Sequence, residues 1–257
     1  MQDQSPYDSY QRSQTPPPGT PVAVKLPGKK TTVTYVLIGV TVFFYILQML
    51  SQSLSNGGYD WPLLLGGKIN ELILQGQFWR LLTPALLHGS LLHIAFNMYA
   101  LFSLGTSLER YYGHARFLLL YGIGAFSGNA LSFLLSPKIS IGASTAVFAL
   151  VAAEAVFIYR NRSLFGARAR TMLTNLGLII TVNLVIGLQP GIDNWGHLGG
   201  LIGGAIFSWF AGPLLQAQTT FYGYELMDAS DRKDTLIGTI LSAGMFLVLL
   251  VIGFVLK

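Results

Sequence analysis

Ser144, His197, His93 and Asn97 are the residues whose types and spacing allow chemistry. Ser144 stands in Ile141-Gly142-Ala143-Ser144-Thr145-Ala146-Val147-Phe148, a small-residue turn that opens an apolar helix. A serine hydroxyl becomes a nucleophile beside a base, and imidazole is the usual base because its pKa lies near neutrality. His197 supplies one in Trp195-Gly196-His197-Leu198-Gly199-Gly200-Leu201-Ile202-Gly203-Gly204. Gly196, Gly200 and Gly204 form a small-xxx-small stripe along which another helix backbone can come close. Attack on a carbonyl makes an oxyanion, which needs donors. His93 and Asn97 lie four apart on one helix face and can point at one place, together with the Ser144 N–H. No carboxylate completes a triad. Asp193 is one turn before His197 but in a loop, and Glu154 is about three turns deeper than Ser144. A Ser–His dyad is therefore expected, with Glu154 structural and near Arg160. The competing reading is packing alone, since Gly, Ala, Ser and Thr let membrane helices touch and an Asn–His pair can join two helices. The chain has no cysteine, which excludes thiolate chemistry and Cys-based metal sites.

Membrane helices have to carry these side chains. Of 257 residues 52% are hydrophobic and 11% charged, whereas a soluble domain carries about 25% charged residues. With a mean hydropathy of +0.53, the expected fold class is all-α, a polytopic membrane helix bundle. Residues 1–30 are polar and Pro-rich (Thr15-Pro16-Pro17-Pro18-Gly19) and read as a disordered tail. Seven apolar runs follow: Val33–Leu50, Leu86–Leu104, Phe117–Leu135, Ala143–Tyr159, Thr171–Leu188, His197–Leu215 and Leu236–Leu256. Residues 51–85 mix breaks such as Asn56-Gly57-Gly58 with Lys68, Asn70 and Glu71, too polar to span. They predict a partly helical loop in the outer interface, where Trp61, Phe78 and Trp79 suit a half-wet setting. The chain thus divides into a tail at 1–30, a six-span core at 31–215, and an inner linker with a seventh span at 216–257.

The charges orient this bundle. The pI of about 9.4 would suit nucleic acid, but the basic residues fall in short loops rather than on one face. With the N-terminus inside, Arg12, Lys25, Lys29, Lys30, Arg110, Arg116, Arg160, Arg162, Arg168, Arg170, Arg232 and Lys233 are all on the inner side. Only Lys68, Arg80, Lys138 and Lys257 are outside, so 12 of the 16 basic residues obey the positive-inside rule. The second, fourth and sixth spans then begin at the outer face. His93, Ser144 and His197 each lie near the start of one, at a similar shallow depth.

The residues resemble the rhomboid intramembrane serine proteases from about Gln77 to Leu215. Phe78-Trp79-Arg80 looks like the Trp-Arg motif of the first outer loop. His88 and His93-Ile94-Ala95-Phe96-Asn97 resemble the His-rich second span. Leu108-Glu109-Arg110 with Gly113 resembles its inner turn. Gly142-Ala143-Ser144-Thr145 matches the G-x-S-x nucleophile motif, and His197 with Gly200 and Gly204 matches the sixth span. The resemblance implies a rhomboid-like six-helix core with a seventh C-terminal span. It implies attack by Ser144, proton transfer by His197, and an oxyanion hole of His93, Asn97 and the Ser144 amide, for which Gly142 leaves room. Trp79 and Arg80 would anchor the outer loop at the interface. The partners implied are the lipid bilayer and transmembrane substrates entering sideways and cut near their outer end. No cofactor, metal or nucleic acid is called for. The expected location is a cell membrane, with the N-terminus cytoplasmic and the active site extracytoplasmic.

Many members carry Gly after the serine; Thr145 stands there here, with the expectation that it narrows the pocket beside the nucleophile. The glycines, His88, Ser90 and Asn97 are expected to line a cavity open to the outside, with residues 51–85 or the fifth span gating lateral entry. Two rivals remain in view. A zinc hydrolase would use His88, His93 and His197, but His88 and His93 are five apart, off one helix face, and no H-E-x-x-H occurs. A catalytically weak or inactive rhomboid-like protein would bind transmembrane helices without cutting them.

Overall fold

In a bilayer a backbone can satisfy its own polar groups only as a helix or a closed barrel, and the apolar runs become helices. The protein is known from a computed structural model that describes residues 24–25, 30–56, 58–220 and 223–257. Among the described residues seven long helices form: α1 (Thr32–Leu54), α2 (Leu91–Tyr112), α3 (His114–Leu135), α4 (Ser144–Arg160), α5 (Arg168–Ile186), α6 (Asn194–Ala211) and α7 (Arg232–Leu256). Five of them, α1, α2, α3, α5 and α7, are long and apolar enough to cross a membrane. The other two carry the candidate serine and histidine. α4 has only 17 residues, and α6 has 18, five of them glycine. Neither needs a lipid-compatible surface all round. α4 is enclosed by α2, α3, α5 and α6, and α6 by α3, α4 and α7.

Glycine sets these approaches. A Cβ on Gly200 would lie 2.0 Å from the Thr145 carbonyl oxygen, and one on Gly204 2.5 Å from the Ala149 Cα, so this face of α6 rests on the backbone of α4. Gly199 and Gly203 form a second face against Ser127 and Gly128 of α3. α7 closes the far side, with Ser242 Oγ donating to Gly203 O at 2.9 Å. α5 stands apart from this centre and packs on α4 and the short helix Arg162–Phe165.

The second helix begins five residues later than the hydropathy suggests. Pro84 sits in a 3-10 turn, Thr83–Leu86, and the helix starts only where Ser90 can cap it by accepting from His93 N (3.2 Å). The described residues of the 51–85 loop are ordered: a helix at Trp61–Gly66 capped by Asp60, a second at Asn70–Leu74, and 3-10 turns at Phe78–Leu81 and Thr83–Leu86. At the end of the bundle where α1 begins, the Glu109 carboxylate caps α1, accepting from Val33 N and Thr34 N at 2.8 Å each.

Two features depart from the sequence reading. α6 ends at Ala211 rather than Leu215, because Gly212-Pro213 stops the helix. The linker then forms a hairpin of β2 (Leu215–Thr220) and β3 (Gly223–Asp228), with β1 (Val24–Lys25) parallel to β3. Of the tail expected to be disordered, Val24–Lys25 forms this short strand; the rest of it, up to residue 29, lies outside the described residues.

Candidate active site

The turn before α4 is held on three sides. Lys68 and Ser140 form an antiparallel bridge, N–H to O at 3.0 and 3.2 Å. Gly142 N donates to Pro84 O (2.9 Å), and Ala143 N donates to His88 Nε2 (3.3 Å). Gly142 has φ +130°, in the left-handed half of backbone space where glycine is at ease. The result is an outer loop that fixes where α4 begins, and so where Ser144 sits.

Ser144 and His197 meet. His197 Nε2 lies 2.9 Å from Ser144 Oγ, and the imidazole stacks on Phe148, one turn further along α4, with centroids 4.4 Å apart and an 11° tilt. His197 is 9% exposed. Accepting the serine proton at Nε2 requires the Nδ1–H tautomer. Nδ1 is buried without a hydrogen-bond partner among the described residues, so no carboxylate extends the pair into a triad.

His93 faces the same point. A Cβ built on Gly142 would lie 2.8 Å from both Cε1 and Nε2 of His93 and 3.6 Å from Ser144 Oγ. His88 meets His93 edge-on at 4.9 Å. Asn97 is buried one turn deeper on α2 and donates one Nδ2 proton to His93 O (2.9 Å). Its second N–H remains for another acceptor. Among the described residues no group of three or more His, Asp or Glu side chains forms a metal site.

Several residues behave differently from expectation. Thr145 does not narrow the pocket. It is buried between helices, its Cβ and Cγ2 facing Gly128 of α3 and its Cγ2 facing Gly196 of α6. Successive residues of a helix are turned by about 100°, so a serine aimed at the site sends the next side chain into the α3–α6 seam. The Thr145 hydroxyl has no hydrogen-bond partner among the described residues. Thr145→Val keeps the shape and removes that buried polar group, so it is expected to leave thermal stability within about 1 kcal/mol and activity within about twofold of wild type. Thr145→Gly empties the seam and is expected to cost about 1–2 kcal/mol, read by thermal unfolding in detergent.

Arg80, expected with Trp79 to anchor the 51–85 loop, ties that loop together from inside. It is 2% exposed, and its guanidinium binds Gly67 O (2.7 Å), Leu64 O (2.6 Å) and Gln77 Oε1 (2.8 Å), closing the C-terminal end of the helix Trp61–Gly66. Trp79 is 53% exposed, and its Nε1 donates to Leu65 O (3.0 Å). Ser90 is an exposed helix cap, and His88 is a buried support for the Ala143 amide. Glu154 makes no pair with Arg160, which donates instead to Gly212 O (2.9 Å) at the end of α6.

Phe148 and Lys68 went unnoticed in the sequence. Phe148 had a signal: it is four residues after Ser144 and so stands under its base. Lys68 had none. Its Nζ donates to Ser132 O, Ser136 O and Lys138 O (3.3, 2.9 and 3.0 Å), closing the C-terminus of α3. Burial lowers its pKa to about 8, against the upward pull of the Asp193 carboxylate.

The family model for the rhomboid domain matches residues 75–214, the stretch that holds His93, Asn97, Ser144 and His197. The chain belongs to the rhomboid family. Rhomboid protease GluP of Bacillus subtilis (strain 168) is 43% identical to this rhomboid over 176 residues, 68% of this chain and 34% of that protein. RHOMBOID-like protein 9, chloroplastic, of Arabidopsis thaliana is 38% identical over 156 residues, 60% of this chain and 36% of that protein. Rhomboid protease AarA of Providencia stuartii is 33% identical over 200 residues, 69% and 70% of the two chains. This rhomboid thus spans about a third of the length of the first two relatives. Family membership and the five apolar helices make it a multi-pass membrane protein.

Proposed function

We propose that this rhomboid is an intramembrane serine endopeptidase that cuts transmembrane segments of membrane proteins near their outer end. The observation that carries the reading is the 2.9 Å contact between His197 Nε2 and Ser144 Oγ. In the proposed reaction Ser144 Oγ attacks the scissile carbonyl while His197 Nε2 takes its proton. The negative oxygen of the tetrahedral intermediate accepts from Ser144 N–H, His93 and Asn97. Collapse breaks the C–N bond, and the imidazolium returns the proton to the leaving amine. Water then attacks the acyl-serine with His197 again as base, which releases the new carboxylate and restores the hydroxyl. The names of the relatives GluP and AarA, both rhomboid proteases, agree with this assignment.

The site is proposed to face the extracytoplasmic side of a cell membrane, the N-terminus being cytoplasmic. The distribution of basic residues supports this orientation. Lateral entry is proposed between α2 and α5. A cleft of about 320 Å³ runs there, lined by Tyr99, Ser103, Ile179 and Asn183 and floored by Val147 and Phe148 of α4. It reaches the residue on which His197 is stacked. α5 has few neighbours to hold it and is the movable wall. Ser103→Trp, which fills the cleft, is expected to slow cleavage of a transmembrane reporter about tenfold. Labelling of Ser144 by a small fluorophosphonate is expected to stay unchanged.

The test of the function is cleavage of a helix-destabilised transmembrane reporter by wild type and Ser144→Ala, with the new terminus identified. Cleavage by wild type alone is expected. Equal cleavage by both would end the serine-protease reading, and cleavage by neither would favour a rhomboid that binds helices without cutting them.

A further inference from the structure

Among the described residues the base of this dyad has no partner at Nδ1 to aim it. His197 touches Ser144 at Nε2 and Phe148 on its face, while Nδ1 meets no hydrogen-bond partner among the described residues. Where the imidazole points therefore depends on where its backbone is held.

That backbone is held by Asp193. Asp193 is the N-cap of α6: its Oδ1 accepts from Gly196 N (3.0 Å), and its carbonyl accepts from His197 N (3.1 Å). Its other carboxylate oxygen, Oδ2, accepts from Ser132 Oγ of α3. Ser132 is itself pinned, because its carbonyl accepts from the buried Lys68 Nζ (3.3 Å). Asn70 Nδ2 adds further bonds to the end of α3, at Phe133 O (3.3 Å) and Ser136 O (2.9 Å). One carboxylate thus clamps the first turn of α6 to α3, and the outer loop clamps α3. Gly196 lies inside this clamp, where a Cβ would be 3.1 Å from both Asp193 Oδ2 and Thr145 Cγ2. The first turn of α6 consequently has little freedom to slide along α3 or α4.

We propose that Asp193 is the positioning residue of the dyad, orienting His197 through the first turn of its helix and not through the imidazole ring. The inference rests on the serine-protease reading above. It gives the carboxylate a role in this site that is geometric: two acceptor oxygens joining two helices. Asparagine offers an acceptor to Gly196 N and a donor to Ser132 Oγ, and asparagine is as good an N-cap as aspartate. The clamp should therefore survive the loss of charge but not the loss of the side chain.

The test uses the full chain in detergent micelles. The rate constant and the final extent of Ser144 labelling by a fluorophosphonate are read beside kcat and KM on a transmembrane peptide. A misaimed base lowers the rate constant at every site, whereas partial unfolding lowers the fraction of sites labelled. Asp193→Ala is expected to lower the labelling rate constant and kcat about tenfold, with KM and final extent unchanged. Ser132→Ala, which removes only the tie to α3, is expected to lower both about threefold. Asp193→Asn is expected to restore both to within about threefold of wild type. A reduced final extent with an unchanged rate constant in Asp193→Ala would make the residue merely structural and overturn the proposal. Asp193→Asn as slow as Asp193→Ala would overturn it too, since charge would then be the agent. Should Asp193→Ala fail to fold, Ser132→Ala and Asp193→Asn decide by the same criteria. Ser144→Ala is run alongside. Cleavage that survives it defeats the protease reading, whereas a full rate in Asp193→Ala beside a dead Ser144→Ala defeats this inference alone.

Discussion

His197→Ala is expected to lower the rate of reporter cleavage by a factor on the order of 10⁴–10⁶, and Ser144→Ala/His197→Ala by no more than either single change. The reason is the geometry of one shared proton. In the proposed reaction Ser144 Oγ is a weak nucleophile until Nε2, 2.9 Å away, accepts its hydrogen. Without the imidazole the hydroxyl contributes almost nothing, and without the hydroxyl the imidazole has nothing to activate. The two act as a unit, so their losses do not add. Steady-state rates of the two single variants and the double variant check this. Additive losses would mean that His197 acts on something other than Ser144. His197→Ala also removes the ring stacked on Phe148. Thermal unfolding should therefore be recorded with the rates, to separate a lost base from a loosened helix.

Gly142→Ala is expected to lower kcat by on the order of 10²–10³-fold, the scale of a lost oxyanion donor. Two effects act together. At φ +130° an alanine is strained by about 1–3 kcal/mol. Its methyl would also sit 2.8 Å from two ring atoms of His93, and His88 packed edge-on against that ring limits where it can go. The backbone must twist, the ring must move, or both, and either displaces a proposed donor from the point beside Ser144 Oγ. The strain destabilises the folded state as well, so the bundle should unfold a few degrees below the wild-type temperature. Rates and unfolding temperatures measured on one preparation would show the split. A near-normal rate would mean that His93 and the Gly142 turn do not shape the reaction centre.

The site was legible to different depths. Ser144 and His197 could be paired from sequence because the parity of the apolar runs puts both at the start of a helix on one face. The glycines of α6 pointed to close approach, and Gly200 and Gly204 do rest on α4. Periodicity did not reveal that the same helix has a second glycine face, Gly199 and Gly203, against α3. A helix so rich in glycine can approach neighbours on two sides, and hydropathy does not distinguish them. Thr145 was misread for lack of one step, the rotation between adjacent helical residues. The partners of Arg80 were not legible: the open carbonyls of a short helix, Leu64 O and Gly67 O, draw its guanidinium inward, and the sequence does not mark them as its acceptors. Lys68 and Asp193 were beyond reach. Each bonds to residues more than sixty positions away in sequence or across two helices, and no local pattern encodes such partners. The small sheet was missed because the apolar run was carried past Gly212-Pro213. The strands beyond it are short and partly polar, Leu215-Gln216-Ala217-Gln218 in β2.

The central claim is that Ser144 is a nucleophile activated by His197. Its most direct test is to incubate the full chain with a fluorophosphonate and locate the adduct by mass spectrometry of its peptides. The expected result is a single adduct on Ser144 in the wild type and essentially none in a folded His197→Ala. An adduct on another residue, or full labelling of Ser144 in His197→Ala, would contradict the account.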